Sequence, residues 1–169
     1  MTTTEAPAPA FRYIGTTDET NVCEDCGRSD LQRAVVLALL DADGNVEDRV
    51  RYGSDCAARA LSIRGGGRAV AKAAENARIA TLKAAAEAYE RAERLLFDPA
   101  TGEPTHERGF ARTVGTMIRF NGGPGRWTDR GEAEQFTRQL IERSVQAVQD
   151  ARLLGIADPA RELRRLGYA

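Results

Sequence analysis

The sequence predicts an α+β protein, on three observations. Two strand-like segments joined by a turn occupy the first third of the chain, close to all three cysteines. A Gly-rich break, "RGGGR" at Arg64–Arg68, follows them. Beyond it, apolar residues recur every three or four positions, the period of helices with one buried face.

The elements follow in order. Residues 1–10, "MTTTEAPAPA", are too polar and Pro-rich to fold and read as a disordered leader. A compact unit is expected over 11–63. "RAVVLALLD" (Arg33–Asp41) has the branched apolar run of a strand, "DADGN" (Asp41–Asn45) is a turn, and "VEDRVRYG" (Val46–Gly53) is a second strand, giving a β-hairpin. Ser54 or Asp55 can cap a short helix that carries Cys56, Ala57, Ala60 and Leu61. The three glycines at 65–67 predict a flexible hinge over 64–68, and the rest, 69–169, reads as helical. One long Ala-rich helix is expected from Ala69 to Phe97, with an apolar stripe of Ile79, Leu82, Ala86, Tyr89 and Leu96. "DPATGEPT" (Asp98–Thr105) ends it. A helix over His106–Phe120 and, after the loop Asn121–Trp127, one beginning at Asp129 follow. The latter's expected inner face is Phe136, Leu140, Ser144, Ala147, Val148 and Ala151. Asp158 caps a last helix whose first residue is Pro159.

Composition sets limits. The 169 residues carry 25 acids and 24 bases, a net charge of −1, so global charge demands no polyanionic partner. Locally, Arg59, Arg64, Arg68, Lys72, Arg78 and Lys83 stand against Glu75 alone. No apolar run is long enough to cross a membrane, and the N-terminus lacks the basic and apolar regions of a signal peptide. Three cysteines are an odd number for a disulfide framework, so a reducing, cytoplasmic location is expected.

The cysteines carry the most specific signal. Cys23-x-x-Cys26-Gly27 is a turn that aims two thiolates at one point, and its glycine lets backbone amides face the sulfurs. Cys56 stands where the hairpin hands over to a helix, whose free amides favour a thiolate. Knuckle, hairpin and helix-borne ligand together make a treble-clef-like site, for which zinc is the expected ion. The position for a fourth ligand, one helical turn after Cys56, holds Arg59 and Ala60, which bind no metal. Asp55, Asp18, His106, water or a partner chain remain as candidates. Two rival readings are a redox Cys-x-x-Cys, which ordinarily opens a helix in a βαβ pattern not seen here, and three unpaired thiols.

The segment "YIGTTDETNVCEDCGRSDLQRAVVLALLD" with "VRYGSDCAARAL" resembles small zinc-knuckle modules of actinobacterial and bacteriophage proteins, whose pattern is CxxCG, a strand pair and Gly-Ser-x-Cys at a helix start. Here these are Cys23, Cys26 and Gly27, then Gly53, Ser54 and Cys56, and the likeness covers about residues 13–63. The resemblance implies a zinc-binding module and is nearly silent on function. Gly125, Trp127 and Thr128 also resemble a pattern of phage and plasmid proteins in which a helix, a Gly-rich turn and G-x-W/L-T precede another helix, from which Gly131 departs.

Arg59, Arg64, Arg68 and Lys72 are the candidate contacts to a DNA or RNA backbone, with the glycines allowing close approach. The competing account of this segment is a solvated linker. Trp127, between Arg126 and Arg130, can stack a base or pin two helices. Catalytic signals are thin: a single histidine excludes HExxH, and neither G-x-S-x-G nor a P-loop occurs. The functional expectation is a zinc-bearing, non-enzymatic module that associates with nucleic acid. The alternatives are a protein-interaction adaptor or homodimer using the long Ala-rich helix, and a phage- or plasmid-related hydrolase or nuclease.

Overall fold

The structure, a computed structural model, describes residues 10–63, 65–106, 109–119 and 130–168. Residues 1–9 of the expected leader, Arg64, the loop with Trp127 and Asp129, the expected start of a helix, lie outside these residues. The described chain is α+β, with one antiparallel sheet in the order β1-β2-β3 and five α-helices. It divides into two compact units, one running to Ile79 and including Leu153–Gly155, the other made of Ala80–Arg152 and the residues from Ile156 on.

In the first unit, β2 (Ala34–Leu40) and β3 (Val46–Tyr52) form the expected hairpin. Its turn is held by the Asp41 carboxylate, which accepts from the amides of Asp43 (2.9 Å) and Asn45 (2.8 Å), while Gly44 takes the left-handed conformation (φ +83°). A further strand, β1 (Ala10–Thr17), pairs antiparallel with β2 and was not expected from the sequence. β2 is therefore central, and Ala34–Ala38 are all buried, which explains a continuous apolar run rather than an alternating one. The pairing of β1 with β2 slips by one residue between Tyr13 and Gly15, a bulge at the fully buried Ile14.

Helix α1 (Ser54–Ala60) begins after Gly53, and no side chain caps it; neither Ser54 nor Asp55 serves as expected. The 30-residue α2 (Gly66–Leu95) starts within the expected hinge: Gly67 and Arg68 lie in its first turn, and the backbone break falls at Gly65 (φ +113°) and Gly66 (φ +64°). The first half of α2 packs into the unit's core. Val70 and Ala74 join Val35, Leu37, Ala57 and Ala58, with Phe11, Tyr13, Val50 and Tyr52 around them. Polar contacts fasten it further: Thr16 Oγ1 donates to Glu75 (3.0 Å), Arg33 pairs with Glu75 (3.4 Å), and Arg78 donates to the Thr16 carbonyl (3.0 Å). Val70 and Ala74, beyond the expected boundary near Ile63, thus share a core cluster with β2 and α1.

In the second unit the buried positions of α2 are Leu82, Ala85, Ala88, Ala92 and Leu95, mostly alanines, whereas Tyr89 of the expected stripe is exposed. Leu96 takes a left-handed conformation (φ +64°) and Phe97 N–H bonds back to the Ala92 carbonyl, closing the helix. Helix α3 (Gly109–Met117) starts after His106, not at it. Helix α4 (Arg130–Leu153) buries Ala133, Thr137, Ile141, Ser144, Val148 and Ala151, while Phe136 is exposed. Polar side chains are tolerated on that face because the Thr137 and Ser144 hydroxyls donate to the carbonyls four residues back, at 2.6 and 2.8 Å. Ala92, Leu95, Phe97 and Ile141 form the centre of this unit, flanked by Phe110, Leu140 and Val145. Helix α5 (Pro159–Arg165) is capped by Asp158 as expected, its carboxylate accepting from Arg161 N–H at 2.9 Å.

Candidate metal centre

The loop between β1 and β2 folds as a knuckle through its own backbone. Cys23 N–H bonds the Arg28 carbonyl, and Gly27 N–H returns to the Cys23 carbonyl, both at 2.9 Å. Gly27 is left-handed (φ +70°), the conformation for which a residue without Cβ is suited. Glu24 ties the knuckle to the end of β3: its N–H donates to the Arg51 carbonyl (2.9 Å), and its carboxylate accepts from Arg51 N–H (2.6 Å). Three residues later the chain turns into α1, which delivers Cys56. Local geometry at two separate places thus aims three sulfurs at one point.

The Sγ atoms of Cys23, Cys26 and Cys56 lie within 4.8 Å of one another. Cys23 and Cys56 are buried and Cys26 is exposed, all three as free thiols. Gly53 N–H donates to Cys23 Sγ (3.2 Å), and Arg59 Nη2 donates to Cys56 Sγ (3.0 Å). Burial alone would push the Cys23 thiol up, but the amides of Gly53, Cys26 and Asp25, with the Cys26 side chain, outweigh it and bring its pKa down to about 7. Cys56 moves the other way, to about 12: its thiol donates to the Asp25 carboxylate, which favours the protonated form, and burial adds to this against the opposing Arg59 guanidinium.

This donor set fits a thiophilic metal ion. Two sulfurs sharing one zinc at about 2.3 Å each stand about 3.8 Å apart at the tetrahedral angle, so the cluster needs adjustments of about an ångström at most. The three cysteines are the group of close metal-ligating side chains among the described residues; Asp55, Asp18 and His106 are not part of it. The Asp55 carboxylate instead packs against Gly67, in the first turn of α2. His106 belongs to the second unit.

Three of the four expected nucleic-acid contacts lie among the described residues. Arg59 is engaged with Cys56 and with Asp25 Oδ2 (3.6 Å). Arg68 and Lys72 are exposed on the first turns of α2, and Arg64 lies outside the described residues. Arg78, counted in the same basic stretch, is turned to the Thr16 carbonyl. Sequence reasoning missed Asp25 and Arg59 as neighbours of the sulfurs. The signal for Arg59 was its spacing, three residues after Cys56, which places both on one helix face.

No helix among the described residues is long and apolar enough to cross a membrane. Comparison with protein-family models, curated proteins and solved structures gives no match to this chain.

Proposed function

We propose that this is a zinc-binding module in which the Cys23, Cys26 and Cys56 thiolates hold one ion in a treble-clef-like setting. The observation that carries the reading is the convergence of the three sulfurs within 4.8 Å from the β1–β2 loop and from helix α1. Thiolates this close repel one another, and a divalent cation converts that repulsion into attraction. Soft sulfur donors in a compact site favour zinc among abundant ions. The ion would tie the knuckle to the start of α1, two segments otherwise joined through the whole hairpin. In a unit with one small sheet this is a structural brace, and the protein is read as a binding module rather than an enzyme.

Elemental analysis of protein purified without added metal tests it. About one zinc per chain is expected, falling to trace levels in Cys23→Ser and Cys56→Ser. Wild-type protein that carries no zinc, and takes up none when offered it under reducing conditions, would overturn the reading.

A further inference from the structure

We infer that the metal centre takes three ligands from this chain and a fourth, a thiolate, from outside it, received beside Arg59. This rests on the metal reading above and adds the chemistry of the remaining coordination position.

The argument starts from what occupies the neighbouring places. A second ligand from α1 would come from the residue one turn after Cys56. That residue is Arg59, and its guanidinium lies 3.0 Å from Cys56 Sγ. A guanidinium carries five donors, no acceptor and a permanent charge, so it cannot ligate a cation. The carboxylate beside it, Asp25, lies against the edge of the cluster, accepting from the Cys56 thiol with Oδ2 3.6 Å from Arg59 Nη2, and is not part of the close group of three sulfurs. Asp55 is directed at Gly67. Among the described residues no carboxylate joins the close group of the three sulfurs, and the α1 position is held by a cation.

Accessibility and charge then select the incoming group. Cys23 is 1% and Cys56 6% exposed, but Cys26 is exposed, so the cluster is covered on two sides and reachable on the third. A divalent ion on three thiolates has a net charge of −1. A further anion would make it −2, which is unfavourable unless a cation stands next to it. Arg59 is that cation, and it touches both the Cys56 sulfur and a displaceable carboxylate. An ion already held by three sulfurs favours a fourth soft donor, so the anion is a thiolate rather than an oxyanion. It can come from a small thiol or from a cysteine of another chain. Arg59 is a positioning residue here: it neutralises and orients the incoming thiolate without touching the metal.

Cobalt(II) in place of zinc makes the centre visible. The full chain is loaded with cobalt in thiol-free buffer, and the sulfur-to-cobalt charge-transfer and d–d bands are followed while 2-mercaptoethanol is added. The expected result is a saturable shift of the d–d bands with a further gain in charge-transfer intensity, in a protein that sediments as a monomer. Four-thiolate intensity before any thiol is added, in a protein that sediments as a dimer, would also support an outside thiolate and assign it to a cysteine of a second chain that bridges the two ions, since each chain has only three cysteines. Arg59→Gln is expected to weaken 2-mercaptoethanol binding about tenfold, with Arg59→Lys recovering part of the loss. Bands that added thiol never moves, in a monomer without four-thiolate intensity, would overturn the inference. So would bands that it moves only in Asp25→Asn, which would make Asp25 the fourth ligand. Thiol binding unchanged in Arg59→Gln would overturn the part given to Arg59. Absence of any charge-transfer band on adding cobalt is a different failure, that of the metal reading itself.

Discussion

Replacing Val70 by alanine asks whether the start of α2 belongs to the metal-bearing unit. Val70 is fully buried and packs with Val35, Leu37, Ala57, Ala58 and Ala74. The substitution removes two methyl groups, about 1.6 kcal/mol at about 0.8 kcal/mol each. The space left behind raises the cost to about 2–3 kcal/mol. Alanine is the better helix former, so the loss cannot be blamed on α2 itself. Ala57 and Ala58 directly follow Cys56, so loosening their packing loosens the segment that delivers a sulfur. In a small unit each kcal/mol moves the melting midpoint by about 4–8 °C, so a drop of about 10 °C or more is expected. The assay is thermal unfolding of the cobalt-loaded protein, followed at the charge-transfer band, which reports only the cysteine cluster. If that band melts at the wild-type temperature, α2 contributes nothing to this core, and the glycines before it are a hinge after all.

Leu82→Asp places an unpaired carboxylate at a fully buried position of α2, at a cost of several kcal/mol, on the order of a small unit's whole stability. Loss of the second unit's helical circular dichroism is expected; a wild-type melting curve would show that this face is not buried. Metal affinity should rise with pH, because the ion competes with protons. Above about pH 7 Cys23 is already a thiolate and the proton to be displaced from Cys56 remains; below it, Cys23 must also lose one. Cobalt affinity should thus fall from pH 8 to pH 6, more steeply in the lower half. A flat profile in a direct titration would exclude these thiolates as ligands.

What was legible in the sequence is what local backbone chemistry determines. The knuckle, the Asp41–Asn45 turn and the Asp158 cap are each specified within a few residues, and each is where it was expected. The errors share a cause in contacts distant along the chain. β1 contains a glycine and a bulge and gains its identity only from pairing with β2. The glycines at 65–67 look like a flexible break, yet a Cβ on Gly67 would run into the Asp55 carboxylate and the Ser54 hydroxyl, so glycine there serves close packing. On α2 the expected stripe was right at Leu82, which is fully buried, but not at Tyr89, which is left out; Ala85, Ala88 and Ala92 are buried instead, because small side chains let helices approach closely. The rest of the candidate site was hidden for the same reason: nothing in "CEDC" says that Asp25 and Arg59 meet at a sulfur.

Leu154 has a consequence for how the chain matures on the ribosome. Its Cδ1 lies 2.9 Å from where a side chain on Gly15 would begin, and Leu153–Gly155 belong to the same unit as the sheet. The cysteines, the strands and the start of α2 are all made early, but this last piece arrives only after residues 80–152. At about 5–20 residues per second, that interval is on the order of 4–15 s. During it the nascent sheet has its thiols in place and one packing partner missing. An ion captured in those seconds would hold the early segments in register until synthesis supplies Leu154.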